Sequence, residues 1–124
     1  MDFKKLMAYQ KSFDLAMLVF EISKSFPKEE IYSLTDQIRR SSRSVCANIS
    51  EAYRKRRYPK HFISKLTDAD GENSETNTWL DFALACNYIS SEDYTKCSEE
   101  GKEIGKLINY MINNPGKFGV KSEN

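Results

Sequence analysis

One histidine, three prolines, five glycines and three cysteines in 124 residues leave little material for several kinds of chemistry. With His61 as the only histidine, neither a two-histidine metal site nor a Cys-His-His cluster can be assembled. No Gly-rich phosphate loop and no nucleophile elbow occurs. The cysteines, Cys46, Cys86 and Cys97, are odd in number and widely spaced, which reads as reduced thiols and not as a disulfide framework or zinc knuckle. The longest apolar run, residues 15–20, is far shorter than the ~20 residues a membrane span requires. The first residues also lack the pattern of a secretion signal, so the sequence predicts a cytoplasmic protein with no membrane partner.

What is present points to helices. Hydrophobic residues make up 40% and charged residues 30% of the sequence. The chain mass is 14.4 kDa. That is enough for one core and too little for two. Between residues 6 and 26, Leu6, Tyr9, Phe13, Ala16, Phe20 and Phe26 recur at spacings built from three and four, with Leu15, Leu18, Val19 and Ile22 widening the stripe. Pro27 stops that helix. A second stripe runs through Leu34, Ile38, Ser41 or Ser42, Val45, Ile49 and Ala52 or Tyr53, opened by Ser33 with Asp36 three residues on, a relative of the capping box.

Tyr58 and Pro59 break the chain again, and a third pattern follows through Phe62, Leu66, Ala69, Asn73, Thr76, Leu80, Ala83 and Asn87. Gly71 interrupts it, a residue that costs about 1 kcal/mol in a helix interior and here suggests close packing against another helix, with a kink as the alternative. Ser90 with Asp93 caps a fourth pattern, carried by Tyr94, Cys97, Ile104, Leu107, Ile108, Met111 and Ile112 and ended by an Asn-Asn-Pro-Gly cluster. The expectation is a single all-α domain over residues 1–116, an antiparallel up-down-up-down four-helix bundle with helices near 5–26, 34–57, 59–88 and 91–113. Residues 117–124 read as a flexible tail, anchored at most by Phe118 and Val120.

The charge is uneven. The formal total is +1, yet residues 34–60 hold Arg39, Arg40, Arg43, Arg54, Lys55, Arg56, Arg57 and Lys60 against Asp36 and Glu51, which is 8 − 2 = +6, leaving −5 elsewhere. Arg54, Lys55, Arg56, Arg57 and Lys60, beside Tyr53 and Tyr58, combine phosphate-binding cations with stacking surfaces, the ingredients of weakly sequence-specific RNA or single-strand binding. The bland alternative is a solvated helix C-terminus, where cations complement the helix dipole. Arg39, Arg40 and Arg43 form a second candidate group. Asn48 and Glu51 on helix two and Asn73 and Glu75 on helix three read as polar bundle residues that pair across helices or subunits and fix register. The carboxylates Asp68, Asp70, Glu72 and Glu75 are scattered around a helix axis with no Glu-x-x-His partner, so no metal, cofactor or catalytic residue is expected.

Three stretches carry a family resemblance: QIRRSSRSVCANISEAYRK over residues 37–55, ADGENSET over 69–76 and WLDFA over 79–83. They resemble the four-helix 23S rRNA-intervening sequence proteins, the S23 family, most specifically at residues 37–40, Asn48-Ile49 with Glu51, and Glu75-Thr76. Ala52, where the family often has glycine, and Tyr9, where many members have tryptophan, depart from the pattern. The resemblance implies a homo-oligomeric ring, a pentamer like the accessory proteins of diversity-generating retroelements. It further implies a basic surface that engages rRNA, other nucleic acid or a nucleic-acid enzyme such as a reverse transcriptase. An adaptor module that binds another protein without touching nucleic acid is the alternative.

Overall fold

The computed structural model describes residues 2–121. It contains four long helices and, among the described residues, no strand: α1 (Met7–Ser23), α2 (Leu34–Arg54), α3 (Pro59–Ala85) and α4 (Ser91–Asn113), with short 3-10 turns at Phe3–Lys5, Lys28–Glu30 and Pro115–Phe118. Helix α1 packs on α2 and α4, and α3 packs on the same two, so the apolar stripes close on one core. Phe62, Leu66, Ile38, Ile49, Ile104 and Ile108 lie at its centre, each essentially inaccessible to solvent.

The helix ends follow local chemistry more closely than the apolar periodicity does. Leu6 is extended and separates the first 3-10 turn from α1, while the chain passes into turns after Ser23, so the first helix is shorter than residues 5–26. At the start of α2, Ser33 does not cap. Its hydroxyl donates instead to Glu30 Oε1 at 2.6 Å, and that carboxylate accepts the Leu34 N–H at 3.4 Å. A residue of the preceding turn thus does the capping. Helix α2 stops at Arg54, short of 57, because Tyr58 is extended ahead of Pro59.

Helix α3 ends at Ala85 because Asn87 takes a left-handed φ of 60°. The Tyr88 N–H then reaches back to the Ala83 carbonyl at 2.8 Å and the Asn87 N–H to the Leu84 carbonyl at 3.0 Å. These are the paired bonds of a Schellman ending. Asn87 is thus a stop signal and not a member of the inward stripe. Ser90 caps α4 by accepting the Asp93 N–H at 3.1 Å, as its spacing predicts.

The α3 stripe is buried as expected through Phe62, Leu66, Ala69, Thr76, Leu80 and Ala83, whereas the α1 stripe is rotated and Gly71 does not do what its position suggests. On α1 the buried face is Ala8, Ser12, Leu15, Ala16, Val19 and Ser23, so Phe13 and Met17 lie outside, each about half exposed. The small Ser12 and Ser23 can be buried because their hydroxyls bond back to the Tyr9 and Phe20 carbonyls. On α3, Gly71 is exposed, and a Cβ placed on it would meet nothing within 4 Å, so packing within the chain does not require it. On α4, Gly101 and Gly105 lie beside Asn73 at distances where a Cβ would make ordinary contact, and the Asn73 amide donates to the Gly101 carbonyl at 2.9 Å.

Pairs across helices set direction and register. On α2 and α3, Arg40 meets Glu75, Ser41 meets Thr76 and Glu51 meets Lys65, so the two helices run antiparallel. Tyr94 bonds Asp81 and Asn73 bonds Gly101, which gives α3 and α4 the same relation. At one end of the bundle the Phe26 and Tyr88 rings pack at 5.6 Å between centroids. The 3-10 turn at Phe3–Lys5, the α2–α3 corner and the C-terminal turn gather at the other. Residues up to 121 include a docked segment, with Val120 buried and Phe118 partly buried against the core, while 122–124, the end of the expected flexible tail, lie outside the described residues.

Candidate nucleic-acid interface

The basic residues of 37–60 separate into two groups, one along the middle of α2 and one where α2 ends and α3 begins. Arg39, Arg40 and Arg43 form the first and are engaged by neighbouring helices. Arg39 donates from Nε to the Ser23 hydroxyl at 2.8 Å and lies over the Phe20 ring, 4.7 Å from its centroid; Arg43 approaches the same ring at 5.6 Å. Cations held on an aromatic face with fixed hydrogen bonds join α2 to α1. Arg40 reaches α3, with Nη2 3.0 Å from Glu75 and Nη1 3.5 Å from Glu72. Burial raises the Glu72 carboxyl above its ordinary range, and the Arg40 charge opposes that rise.

Glu51 and Asn48 of α2 differ in reach, the first crossing to α3 and the second staying on its own helix. Glu51 is bonded to Lys65 at 2.9 Å, which raises the lysine's pKa. Asn48 turns back to the Ser44 carbonyl at 2.9 Å, so it ties its own helix and does not cross to another.

The second group occupies the corner between α2 and α3. Arg54, Arg57 and Lys60 are exposed, and Lys55 is half-buried. Arg56 is different. Its Nε donates to the Tyr53 carbonyl at 2.7 Å, its Nη1 to the Phe118 carbonyl at 3.2 Å, and its guanidinium covers the Tyr53 ring at 3.6 Å. Arg56 therefore fastens the C-terminal turn to the corner. Tyr53 is buried beneath it and offers no stacking face, whereas Tyr58 is 55% exposed.

The fold brings further cations to this end that no contiguous motif announces. Arg54 lies over the Phe3 ring at 5.6 Å, which places Lys4 and Lys5 beside the corner. The Arg56–Phe118 bond brings in Lys117 and, past Val120, Lys121. Lys117 sits over Tyr110 at 5.5 Å and its pKa is raised by a hydrogen bond to that residue, so it stays cationic. Segments 2–5, 51–61 and 115–121 together hold nine Lys and Arg against Asp2 and Glu51, while the rest of the chain holds ten cations and sixteen carboxylates. Such an end attracts polyanions at long range and offers them several contacts at short range.

His61 is exposed, with its ring near-perpendicular to that of Tyr58 at 5.9 Å between centroids. Among the described residues no group of His, Cys, Asp or Glu is arranged to hold a metal ion, and no helix is long and apolar enough to cross a membrane. A separate groove of about 340 Å³ between α1 and α2 is lined by Phe13, Met17, Arg43, Cys46, Ala47 and Ser50 among others.

Comparison with known proteins agrees with this architecture. No curated protein matches the chain. A solved structure from Bacteroides thetaiotaomicron, described as a protein of unknown function from the S23 ribosomal protein family, is 32% identical, with a TM-score of 0.77 over 86% of this chain and 95% of that one. The family model described as 23S rRNA-intervening sequence protein matches residues 4–110. With nearly the whole bundle inside that match, the chain belongs to the 23S rRNA-intervening sequence protein family.

Proposed function

We propose that this protein is a non-catalytic, cytoplasmic, homo-oligomeric bundle that binds RNA or other nucleic acid through the basic end formed by Arg54, Lys55, Arg57, Lys60, Lys4 and Lys5. The observation that carries the reading is the convergence of three separate segments, with nine cations and two carboxylates, on one end of a chain that is otherwise acidic. Phosphate contacts supply sequence-independent affinity, which suits a surface of flexible lysines and arginines without a rigid base-reading element.

Self-association in a ring, as an up-down-up-down protomer repeated about an axis, is part of the same reading. Phe13 and Met17 are exposed on α1, and Gly71 sits mid-helix on the outside of α3 with open space above it. A glycine that costs helix stability without serving the protomer fits a surface that another body approaches. Residues 67–85 of α3 carry five carboxylates and no cation, opposite in charge to the arginine face of α2. A pentamer is the expected size, and closing the ring would multiply the basic end into a continuous patch.

Titrating a structured RNA at several salt concentrations tests the binding. Each phosphate contact adds roughly 0.7–0.9 to the slope of log affinity against log salt. The Arg54→Glu/Arg57→Glu/Lys60→Glu variant should lose most of that slope; no binding at low salt, or unchanged binding in the variant, would overturn the reading. Light scattering tests the ring, which a stable monomer would exclude. The adaptor reading, in which the Phe13–Met17 groove receives a nucleic-acid enzyme such as a reverse transcriptase, is favoured instead if the protein captures that enzyme in the absence of nucleic acid.

A further inference from the structure

We infer that Tyr58 is a stacking platform for an unpaired base, which makes single-stranded nucleic acid the ligand class of the basic end; the inference rests on the proposed binding there.

Two tyrosines flank the cationic run in sequence, and the fold gives them opposite fates. Tyr53 is 5% exposed and roofed by Arg56, whereas Tyr58 is 55% exposed at the corner itself. Its backbone is fixed. Pro59 holds it extended, and as the N-cap residue of α3 it accepts the His61 and Phe62 N–H groups on its carbonyl at 2.9 and 3.0 Å. One turn on, the His61 ring meets it at 80° and 5.9 Å. That near-perpendicular contact steadies the phenol while more than half of the residue's surface stays in water.

Cations flank Tyr58 along the chain, Arg57 immediately before it and Lys60 two residues after, both exposed. An exposed aromatic ring next to exposed cations is the combination that binds a strand by its phosphates and stacks one of its bases. A base inside a duplex has both faces covered by its neighbours, so a duplex gains only the phosphate contacts. Within the described residues Tyr58 has little other use, since more than half its surface stays in water and the His61 ring it packs against is itself exposed.

The test uses the full chain and three probes of equal length at fixed salt: an unstructured RNA, the same RNA annealed to its complement, and an abasic sugar-phosphate chain. The unmodified protein should favour the unstructured RNA over both others. Tyr58→Ala should lower affinity for it roughly five- to a hundred-fold, the range expected for one stacked base, and leave the abasic chain and the salt slope unchanged. Tyr58→Phe should bind as the unmodified protein does. Equal binding of RNA and abasic chain, or full affinity in Tyr58→Ala, would overturn the inference. If charge reversal at Arg54, Arg57 and Lys60 abolishes binding while Tyr58→Ala does not, stacking falls and the phosphate surface stands; if neither changes binding, both fall. Because the unmodified protein's preference among the probes needs no variant, a folding defect in Tyr58→Ala cannot conceal the answer.

Discussion

Arg56 donates to the carbonyl of Phe118, 62 residues further along the chain, at 3.2 Å, while its guanidinium covers the Tyr53 ring. One residue of an apparently uniform basic run is thereby a structural fastener. Arg56→Ala should cost about 1–3 kcal/mol, through a lost charged hydrogen bond and a lost cation–ring contact. Amide exchange should become faster at Phe118, Gly119 and Val120, with less change in nucleic-acid binding than Arg57→Ala causes. Gly119 belongs to the same contact: its φ is +88° and a Cβ there would stand 3.0 Å from Arg56 Nη1. Gly119→Ala should cost about 1–2 kcal/mol in thermal or urea unfolding.

Ser41 and Thr76 share a 2.8 Å hydrogen bond at the centre of the α2–α3 interface, where both are almost fully buried. Thr76→Val leaves the Ser41 hydroxyl short of its partner and should cost about 1–3 kcal/mol. The double variant Ser41→Ala/Thr76→Val should recover part of that loss in a denaturant cycle, because it leaves no buried hydroxyl of the pair unpaired.

Glu30 accepts bonds from Ser33 and Tyr88, which lower its pKa, the Ser33 bond contributing most. A lowered carboxylate gives stability that is present above its ordinary pKa and lost as pH falls through the lowered value. Tyr88, whose hydroxyl donates to Glu30 at 2.9 Å, is pushed up from 10.0 to about 12, mainly by that bond. Its contribution is complete below its ordinary value and lost as pH rises towards about 12. The thermal midpoint of the unmodified protein should therefore fall relative to Tyr88→Phe at both pH extremes, with the largest difference between them near neutrality.

The three thiols should react at different rates. Burial pushes Cys97 up to about 11 and raises Cys46, and both side chains are buried, whereas Cys86 is exposed. A chromogenic disulfide reagent should modify one thiol quickly in the folded protein and all three in denaturant.

Gly71→Ala should stabilise the folded protomer by about 0.5–1 kcal/mol, since the new methyl meets nothing within the chain. A larger side chain such as Gly71→Gln should leave the protomer folded yet reduce the mass seen by light scattering, if the outer face of α3 is a subunit contact.

Much of the architecture was legible because helix periodicity is a local property. The inward sets of α2 and α4 could be read almost residue by residue, since Ile38, Val45, Ile49, Ile104 and Ile108 are large, apolar and regularly spaced. On α1 the pattern misled, because Phe13 and Met17 are apolar and outward while Ser12 and Ser23 are polar and inward. Side-chain hydroxyls that bond their own helix can be buried cheaply, and hydropathy alone does not register this. The ending of α3 at Asn87 was obscured for a related reason: asparagine continues a polar pattern as readily as it ends a helix in the left-handed conformation.

The sequence by itself determined the helical class, the number of long helices, the family and the cationic run at residues 54–60, because each depends on neighbours within a few turns. Only the tertiary structure decided what that run is. It joined Lys4, Lys5, Lys117 and Lys121 to it, withdrew Arg56 into a contact 62 residues away, buried Tyr53 and left Tyr58 open. Electrostatic surfaces and hydrogen-bond partners depend on which segments meet in space, and the chain order does not state that.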